Sequence, residues 1–413
     1  MEKKMPKLLI YSQCHIYGGS ERLMQSIYKN QWIREVYDIT FSYLFFQDYL
    51  DGLKRDNSGY NFNLKLKGLP LISVGNLLNK INLRFGSKFM RRALKAPPYL
   101  IQKLGFFAPW NYMVFLVYLL YEKPNVVHIN NGGYPAAETC NQLARVLLLF
   151  PSIRVIYQVN NQAVYANSLY SRYFDWIISV SVDTFLTHSK QNKERLVTRG
   201  FAIEKIRNFP SYFAESIESE SNLSKDERFT LCMVGFLSYR KGQMFLLEVL
   251  LSLRETHRDI FDTVLLNLVG GGEEEFKLKE FVAKNNLQKQ VNFLGQRPDY
   301  ISYVEKCDLY MLTSIEGEDL PLVLITAMNK GKCIIASNFA GISDILSHGE
   351  DAYLIEPNKD TFAKDIKSAI LKLYNDKPLR ERISKNVLRT FENTFGEKIY
   401  ASRLLELYSN KNE

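Results

Sequence analysis

The sequence predicts an α/β protein of two doubly wound parallel-sheet halves, and three observations carry that prediction. Short β-branched or aliphatic runs alternate with longer helical patterns, the signature of parallel strands joined by crossover helices. At 413 residues the chain exceeds what one hydrophobic core usually serves. The stretch Glu215 to Arg228 is polar, acidic and without apolar periodicity, so it reads as a linker between residues 1–214 and the rest.

In the first half the strand candidates are Lys7 to Tyr11, Val126 to Asn130, Arg154 to Val159 and Trp176 to Val180. In the second they are Phe229 to Val234, Val264 to Val269, Val291 to Leu294, Asp308 to Leu312, Lys332 to Ala336 and Tyr353 to Ile355. Each half thus has enough strands for its own sheet. Helical patterns follow near 360–374, 378–393 and 397–409.

With 46% hydrophobic and 23% charged residues, the composition excludes disordered, collagen-like and disulfide mini-scaffold classes. The five cysteines are scattered and odd in number and lack metal-ligand spacing, which suits a reducing compartment. The short apolar run Leu8 to Tyr11 reads as a first strand and not as a signal-peptide core, so a cytoplasmic location is expected. The net charge of +9 is concentrated: from Asn57 to Tyr121 there is no Asp or Glu, while Lys65, Lys67, Lys80, Arg84, Lys88, Arg91, Arg92, Lys95 and Lys103 are all basic. Apolar residues Leu77, Leu78, Ile81, Phe85, Phe89, Met90 and Leu94 interleave with these cations at helical spacing. The pattern predicts peripheral attachment of residues 65–103 to an anionic membrane surface, with a solvated basic face as the plain alternative. Nucleic acid is not an expected partner, since no nucleic-acid motif accompanies the charge.

Three motifs bear on chemistry. Gly18-Gly19-Ser20-Glu21-Arg22 follows the first strand, where two glycines admit close backbone approach and Ser20 is suited to cap the next helix. Gly235-Phe236-Leu237-Ser238-Tyr239-Arg240-Lys241-Gly242 ends the first strand of the second half and puts adjacent cations at a helix start, a place for a diphosphate. The sharpest runs from Ser314 to Gly331: an acidic loop with Glu316, Glu318 and Asp319, then Pro321 as a first helical residue and Gly331 as a stop. Each motif has a structural reading too, as a tight turn, a solvated Arg-Lys pair or carboxylates that complement a helix dipole.

The third motif resembles that of the retaining nucleotide-sugar glycosyltransferases of family four, which carry Glu-x7-Glu followed by Ala-Met. Started at Glu318, the pattern places Pro321, Leu324, Ala327, Met328 and Gly331. The resemblance extends through Val234-Gly235, Lys241-Gly242, Val269-Gly270-Gly271-Gly272-Glu273, Val291 to Gly295 and Gly341-Ile342-Ser343-Asp344. It implies a GT-B architecture: two Rossmann-like lobes facing a central cleft, a nucleotide-sugar domain over residues 229–390, and a final helix within 391–413 that returns to the first lobe. No metal and no other cofactor is implied; the nucleotide sugar is substrate.

Carried over residue by residue, the resemblance makes Lys241 the partner of the donor diphosphate and Glu318 the contact to the transferred sugar. Gly235, Asp319 and Leu320 fall in the phosphate-facing backbone, Gln296 and Arg297 in the loop that holds the base, and Gly18 and Gly19 opposite the donor phosphates. The sequence departs from the family at three positions. The second Glu is Thr326, the arginine before the lysine is Phe236 with Arg240 as substitute, and the second His of a His-x-His strand end is Asn130. His128 reads as a satisfied core histidine. The implied activity is hexosyl transfer with retention to a glycan or lipid-linked acceptor, as in bacterial surface polysaccharide assembly. A non-catalytic scaffold subunit and a nucleotide-sugar epimerase stand as alternatives.

Overall fold

The computed structural model describes residues 5–13, 19–56, 65–75, 78, 81, 90, 93–98, 106–165, 169–210, 224–316, 318–339 and 341–409. It divides into one compact unit of residues 1–211 with 400–413, and a second of residues 212–399.

The first unit's sheet is formed by β1 (Lys7–Ser12), β2 (Asp38–Leu44), β3 (Lys65–Leu69), β4 (Val126–Asn131), β5 (Arg154–Val159), β6 (Thr184–Thr187) and β7 (Ile206–Asn208). The strands are parallel, in the order β3-β2-β1-β4-β5-β6-β7. Its helices are α1 (Gly19–Lys29), α2 (Gln31–Val36), α3 (Gln47–Asp56), α4 (Phe107–Glu122), α5 (Glu138–Leu147), α6 (Leu169–Ser181) and α7 (Lys190–Thr198). The central strands are buried except at Lys7 and Arg154, the first residues of β1 and β5, as expected of a sheet covered on both faces.

The second unit contains β8 (Phe229–Val234), β9 (Val264–Val269), β10 (Val291–Gly295), β11 (Leu309–Leu312), β12 (Cys333–Ser337) and β13 (Tyr353–Ile355), parallel and ordered β10-β9-β8-β11-β12-β13. Its helices are α8 (Gln243–Thr256), α9 (Arg258–Thr263), α10 (Glu275–Lys284), α11 (Tyr300–Lys306), α12 (Leu322–Asn329), α13 (Phe362–Asn375) and α14 (Lys377–Phe395); α15 (Glu397–Ser409) follows. Side chains alternate between two cores across the sheet. Leu231, Met233, Leu309, Met311, Cys333 and Ile335 pack into one, while Cys232, Val234, Tyr310, Leu312, Ile334 and Ala336 pack into the other.

The second unit's strands lie where the sequence puts them, to within a residue. The first unit differs. Trp176 to Val180, expected as a strand, is the second half of α6: Asp175 and Ile178 are buried while Tyr173, Trp176 and Val180 are exposed, a helical and not a two-residue period. The strand of that region is β6, just beyond it. β2, β3 and β7 were not legible as strands, and Lys65 and Lys67 belong to β3 and not to a surface helix. Lys65 pairs with Asp38 across the strand pair at 2.6 Å. Ser20 lies inside the first turn of α1 and not at its cap. Gly18, Lys80, Arg84, Lys88, Arg91, Arg92, Lys103 and residues 211–223, including the start of the expected linker, lie outside the described residues.

Phe391 belongs to α14, which ends at Phe395, and α15 begins only after Gly396. From Tyr400 onward the chain groups with the first unit. There Tyr400 packs against Phe209, Arg154 donates to the Leu407 carbonyl at 3.1 Å, and the Tyr408 ring meets Tyr37 and His128. His128 is fully buried, as a core histidine, with Nδ1 2.7 Å from the Tyr408 hydroxyl and Nε2 2.9 Å from Gln158 Oε1. Gln158 Oε1 can only accept, so Nε2 carries the proton and Tyr408 donates to Nδ1.

Burial pushes the His128 pKa down to about 4, against a smaller upward pull from Gln158. The unfolded imidazole titrates near its ordinary 6.5, so the unfolded chain binds the extra proton first. His128 therefore contributes stability that is complete above pH 6.5 and is lost as the pH falls toward 4, ~3 kcal/mol in all. Urea midpoints measured from pH 7 down to 4.5 are expected to fall accordingly. His128→Gln is expected to start lower at pH 7 and to show a flatter decline; an equally steep decline would remove His128 as its source.

Candidate functional site

The order of the second sheet places β8 beside β11, at the point where the winding reverses. In open parallel sheets this switch point leaves a crevice at the carboxyl ends of the strands, where the outgoing connections diverge. The loops after β8 and β11 carry the Lys241 and Glu318 motifs.

Backbone contacts fasten these loops together. After β8, Gly235 takes φ +154 and its amide donates to the Val269 carbonyl at 2.9 Å. A single 3-10 turn, Tyr239–Lys241, is closed by Gly242 at φ +75, a left-handed conformation that favours glycine. The Ile315 amide donates to the Arg240 carbonyl at 2.8 Å, and the Thr313 hydroxyl lies 3.3 and 3.2 Å from the Lys241 and Gly242 carbonyls. A Cβ on Gly242 would stand 2.1 Å from the Thr313 carbonyl oxygen, so only glycine permits this approach. The loop after β9 packs as closely: a Cβ on Gly270 would lie 2.0 Å from the Gly235 oxygen, and one on Gly272 2.2 Å from the Leu237 oxygen.

The result is a charged cluster on one carboxylate. Lys241 Nζ and Arg240 Nη1 both meet Glu318 Oε1, Arg240 at 2.7 Å, and the Ser314 hydroxyl donates to the same oxygen at 3.4 Å. Lys241 and Glu318 are each only 7% exposed, whereas the Arg240 side chain is 42% exposed. Burying such a pair costs desolvation on both sides, which close ion pairing and hydrogen bonding offset. Two cations on one carboxylate leave net positive charge. Just beyond, α12 begins at Leu322, with Pro321 at its cap and not its first helical residue.

The other expected donor-site residues divide into groups. Asp319 is buried, and its carbonyl accepts from the Gly341 amide at 2.9 Å; Leu320 packs into the core. Thr326 is buried on α12 and its hydroxyl donates to the Leu322 carbonyl one turn back, at 3.3 Å. Gln296 is exposed at the end of β10, near Gly271. Arg297 forks onto Asp299 at 2.9 and 3.0 Å and lies over the Tyr303 ring. Phe236 is 49% exposed on the loop that carries the cations. Thr313 and Ser314, which hold the cluster, were not singled out from the sequence; two hydroxyl residues directly after a buried strand were the available signal.

Asn130 and Gly19 lie in the first unit, which repeats the same order, with its reversal between β1 and β4. Asn130 pairs in register with Ser12 there and is buried. Its amide donates to the Ser12 hydroxyl at 3.0 Å, its Oδ1 accepts from Asn160 at 2.5 Å, and Ser12 donates to Glu21 of α1 at 3.1 Å. The chain continues through Asn160 to Gln158 and His188. Gly19 opens α1. Ser12 and Asn160 carry no mark in the sequence, because a network assembled from five separate segments has no spacing there.

A two-sheet α/β chain with cations and a buried carboxylate at one sheet's switch point has the charge and the position that suit an anionic ligand. Residues 215–389 match the family described as Glycosyl transferases group 1. The match lies in the second unit, with both the Lys241 and the Glu318 loops inside it. It is 28% identical over 233 residues to an uncharacterized glycosyltransferase of Methanocaldococcus jannaschii, covering 54% of this chain and 55% of the relative. It is 26% identical over 255 residues to N,N'-diacetylbacillosaminyl-diphospho-undecaprenol alpha-1,3-N-acetylgalactosaminyltransferase of Campylobacter jejuni, covering 59% and 63%. The chain thus spans less than two thirds of these relatives' lengths. Among solved structures, HepE of Anabaena in complex with UDP matches with a TM-score of 0.70 at 16% identity, over 98% of this chain and 99% of that one. At that identity the likeness shows the GT-B fold.

Gly242→Ala combines left-handed strain with a forced separation of the Lys241 and Glu318 loops. It is expected to cost ~2–4 kcal/mol by urea denaturation. Gly349→Ala is the control: its φ is +77 but no atom lies within 4 Å of the added Cβ. That change is expected to cost only ~1–2 kcal/mol, and equal losses would show that the loop contact contributes nothing.

Proposed function

We propose that this protein is a retaining hexosyltransferase that takes a sugar from a nucleotide-diphosphate donor and passes it to a glycan or lipid-linked acceptor. The observation that carries the reading is the juxtaposition of Lys241, Arg240 and Glu318 at the reversal of the second sheet. The diphosphate lies against Lys241, Arg240 and the backbone amides leading into α12. Phosphate is a stronger attractor for these cations than one carboxylate, so its arrival frees Glu318 to accept hydrogen bonds from the sugar. Gly270 and Gly272 pack the loop after β9 against the loop that carries Lys241, and the loop at Gln296 and Arg297 receives the base. No metal takes part in this scheme.

The reaction follows from these groups by electrostatics and positioning. The bond from the anomeric carbon to the diphosphate oxygen breaks while the acceptor oxygen forms its bond on the same face. The acceptor proton passes to the departing phosphate oxygen, and Lys241 and Arg240 stabilise the charge that develops there. No side chain need act as base. Asn130 fits this, since an amide offers hydrogen bonds but relays no proton at neutral pH.

UDP in the solved Anabaena structure and the diphospho-undecaprenol acceptor in the name of the Campylobacter relative support a uridine donor and a lipid-linked acceptor. They also favour a role in bacterial surface glycan assembly at the inner face of a membrane. The basic residues 65–103 supply charge for attachment to an anionic surface. Two features favour a second reading, a non-catalytic donor-binding subunit: Thr326 spends its hydroxyl within α12, and Phe236 supplies no charge.

Turnover of a nucleotide-sugar panel with membrane extract as acceptor separates the two. Transfer with the anomeric configuration kept is the expected result, while donor binding without turnover would establish the second reading. Lys241→Ala is expected to lower kcat ~100-fold or more with the fold intact by circular dichroism. A product of inverted configuration would refute the mechanism.

A further inference from the structure

Helix α4 is apolar on two sides. One side builds the first unit's core through Phe115, Tyr118 and Leu119, with Phe115 edge-on to Tyr11 at 5.3 Å. On the other side Trp110, Met113, Val117, Leu120 and Tyr121, at helical spacing, are 44 to 74% exposed. Helix α5 packs against both α4 and α6, and Arg145 of α5 donates to the Tyr112 hydroxyl at 3.1 Å while stacking 3.9 Å over the Phe174 ring. Helix α6 presents Tyr173, Trp176 and Val180 at 51 to 61% exposure. Single exposed apolar residues are ordinary, but two helices of one layer each presenting an aromatic-rich stripe are not.

We infer that the outward sides of α4 and α6 form a seat that enters the interfacial layer of an anionic phospholipid membrane. The charge distribution selects this partner. The nine cations and no acid of residues 57–121 run directly into α4. Lys67 is exposed with Nζ 6.0 Å from the Tyr121 ring, and Arg172 is exposed on α6. The only carboxylates of the two helices are already engaged, Glu122 with Lys7 at 3.6 Å and Asp175 with Arg199 at 2.8 Å. A second copy of the chain would set one cationic surface against another, which like-charge repulsion opposes. Trp and Tyr suit the headgroup boundary, where an apolar ring and a polar edge are both satisfied. Helix α4 has 16 residues and a buried side, so it lies in the membrane plane and does not cross it. Among the described residues no helix is long and apolar enough to span a bilayer.

This deepens the peripheral attachment given above, adding apolar insertion to electrostatic attraction. Trp110 and Trp176 are two of the chain's three tryptophans, so the wild-type chain reports on the seat directly. With vesicles about one third phosphatidylglycerol in phosphatidylcholine, emission is expected to shift to the blue and to be quenched by brominated acyl chains. In co-sedimentation, Val117→Glu with Leu120→Glu, and separately Trp176→Glu, are expected to lower the partition coefficient ~tenfold or more. Absence of bromolipid quenching in bound wild-type protein would overturn the seat. So would full partition of the apolar variants when neutralising Arg91, Arg92 and Lys95 alone releases the chain, which leaves attachment by charge standing. No partition of the wild type overturns both. A lipid-free dimer that Val117→Glu dissociates, with vesicle binding unchanged, assigns the surface to self-association and overturns the seat.

Discussion

The reversal of winding between β8 and β11 is the constraint on which the second unit's chemistry depends. Right-handed crossovers send successive strands outward from β8 in one direction and from β11 in the other, so the loops leaving these two strands diverge. Residues far apart in sequence are thereby delivered to one edge of the sheet, Lys241 from one loop and Glu318 from the other. Both strands are buried on each face, so the loop anchors are as rigid as the core itself.

Rigidity of the anchors is matched by closeness of the loops. Gly242, Gly270 and Gly272 each lie against a carbonyl that a side chain would strike, and the Thr313 hydroxyl binds two carbonyls across the gap. Held this way, Lys241 and Arg240 converge on one carboxylate oxygen, and the cluster keeps a positive excess. Under the proposed function, a donor diphosphate would compete for those cations and so couple its entry to the state of Glu318.

The first unit repeats the strand order but fills its reversal differently. Where the second unit has an ion cluster, the first has a neutral hydrogen-bonded run through Ser12, Asn130, Asn160 and Gln158, ended by Glu21 at one side and by His128 with Tyr408 at the other. Its interior is therefore polar near the sheet's carboxyl edge, while the helix layer of α4 and α6 is apolar on its outer side. The rest of that interior is an apolar core, so the outer stripes of α4 and α6 are the departure from the usual gradient.

The sequence by itself determined the strands of the second unit, because their aliphatic runs are short and bounded by glycine or polar turns. It also determined the cations at Arg240 and Lys241, the Glu318 loop and the stop at Gly331, which takes φ +57, since local backbone demands leave local marks. Tertiary structure alone decided α6, where Trp176 to Val180 is β-branched enough for a strand but is wound into a helix with Ile178 inward. It alone made β3 an edge strand out of Lys65 to Leu69, whose register with β2 satisfies a backbone that its own side chains do not specify. The grip of Lys241, Arg240 and Ser314 on a single oxygen of Glu318 was likewise settled only by folding. Such contacts depend on which strands are neighbours, and neighbourhood in a parallel sheet is a property of the whole chain's path and not of any window along it.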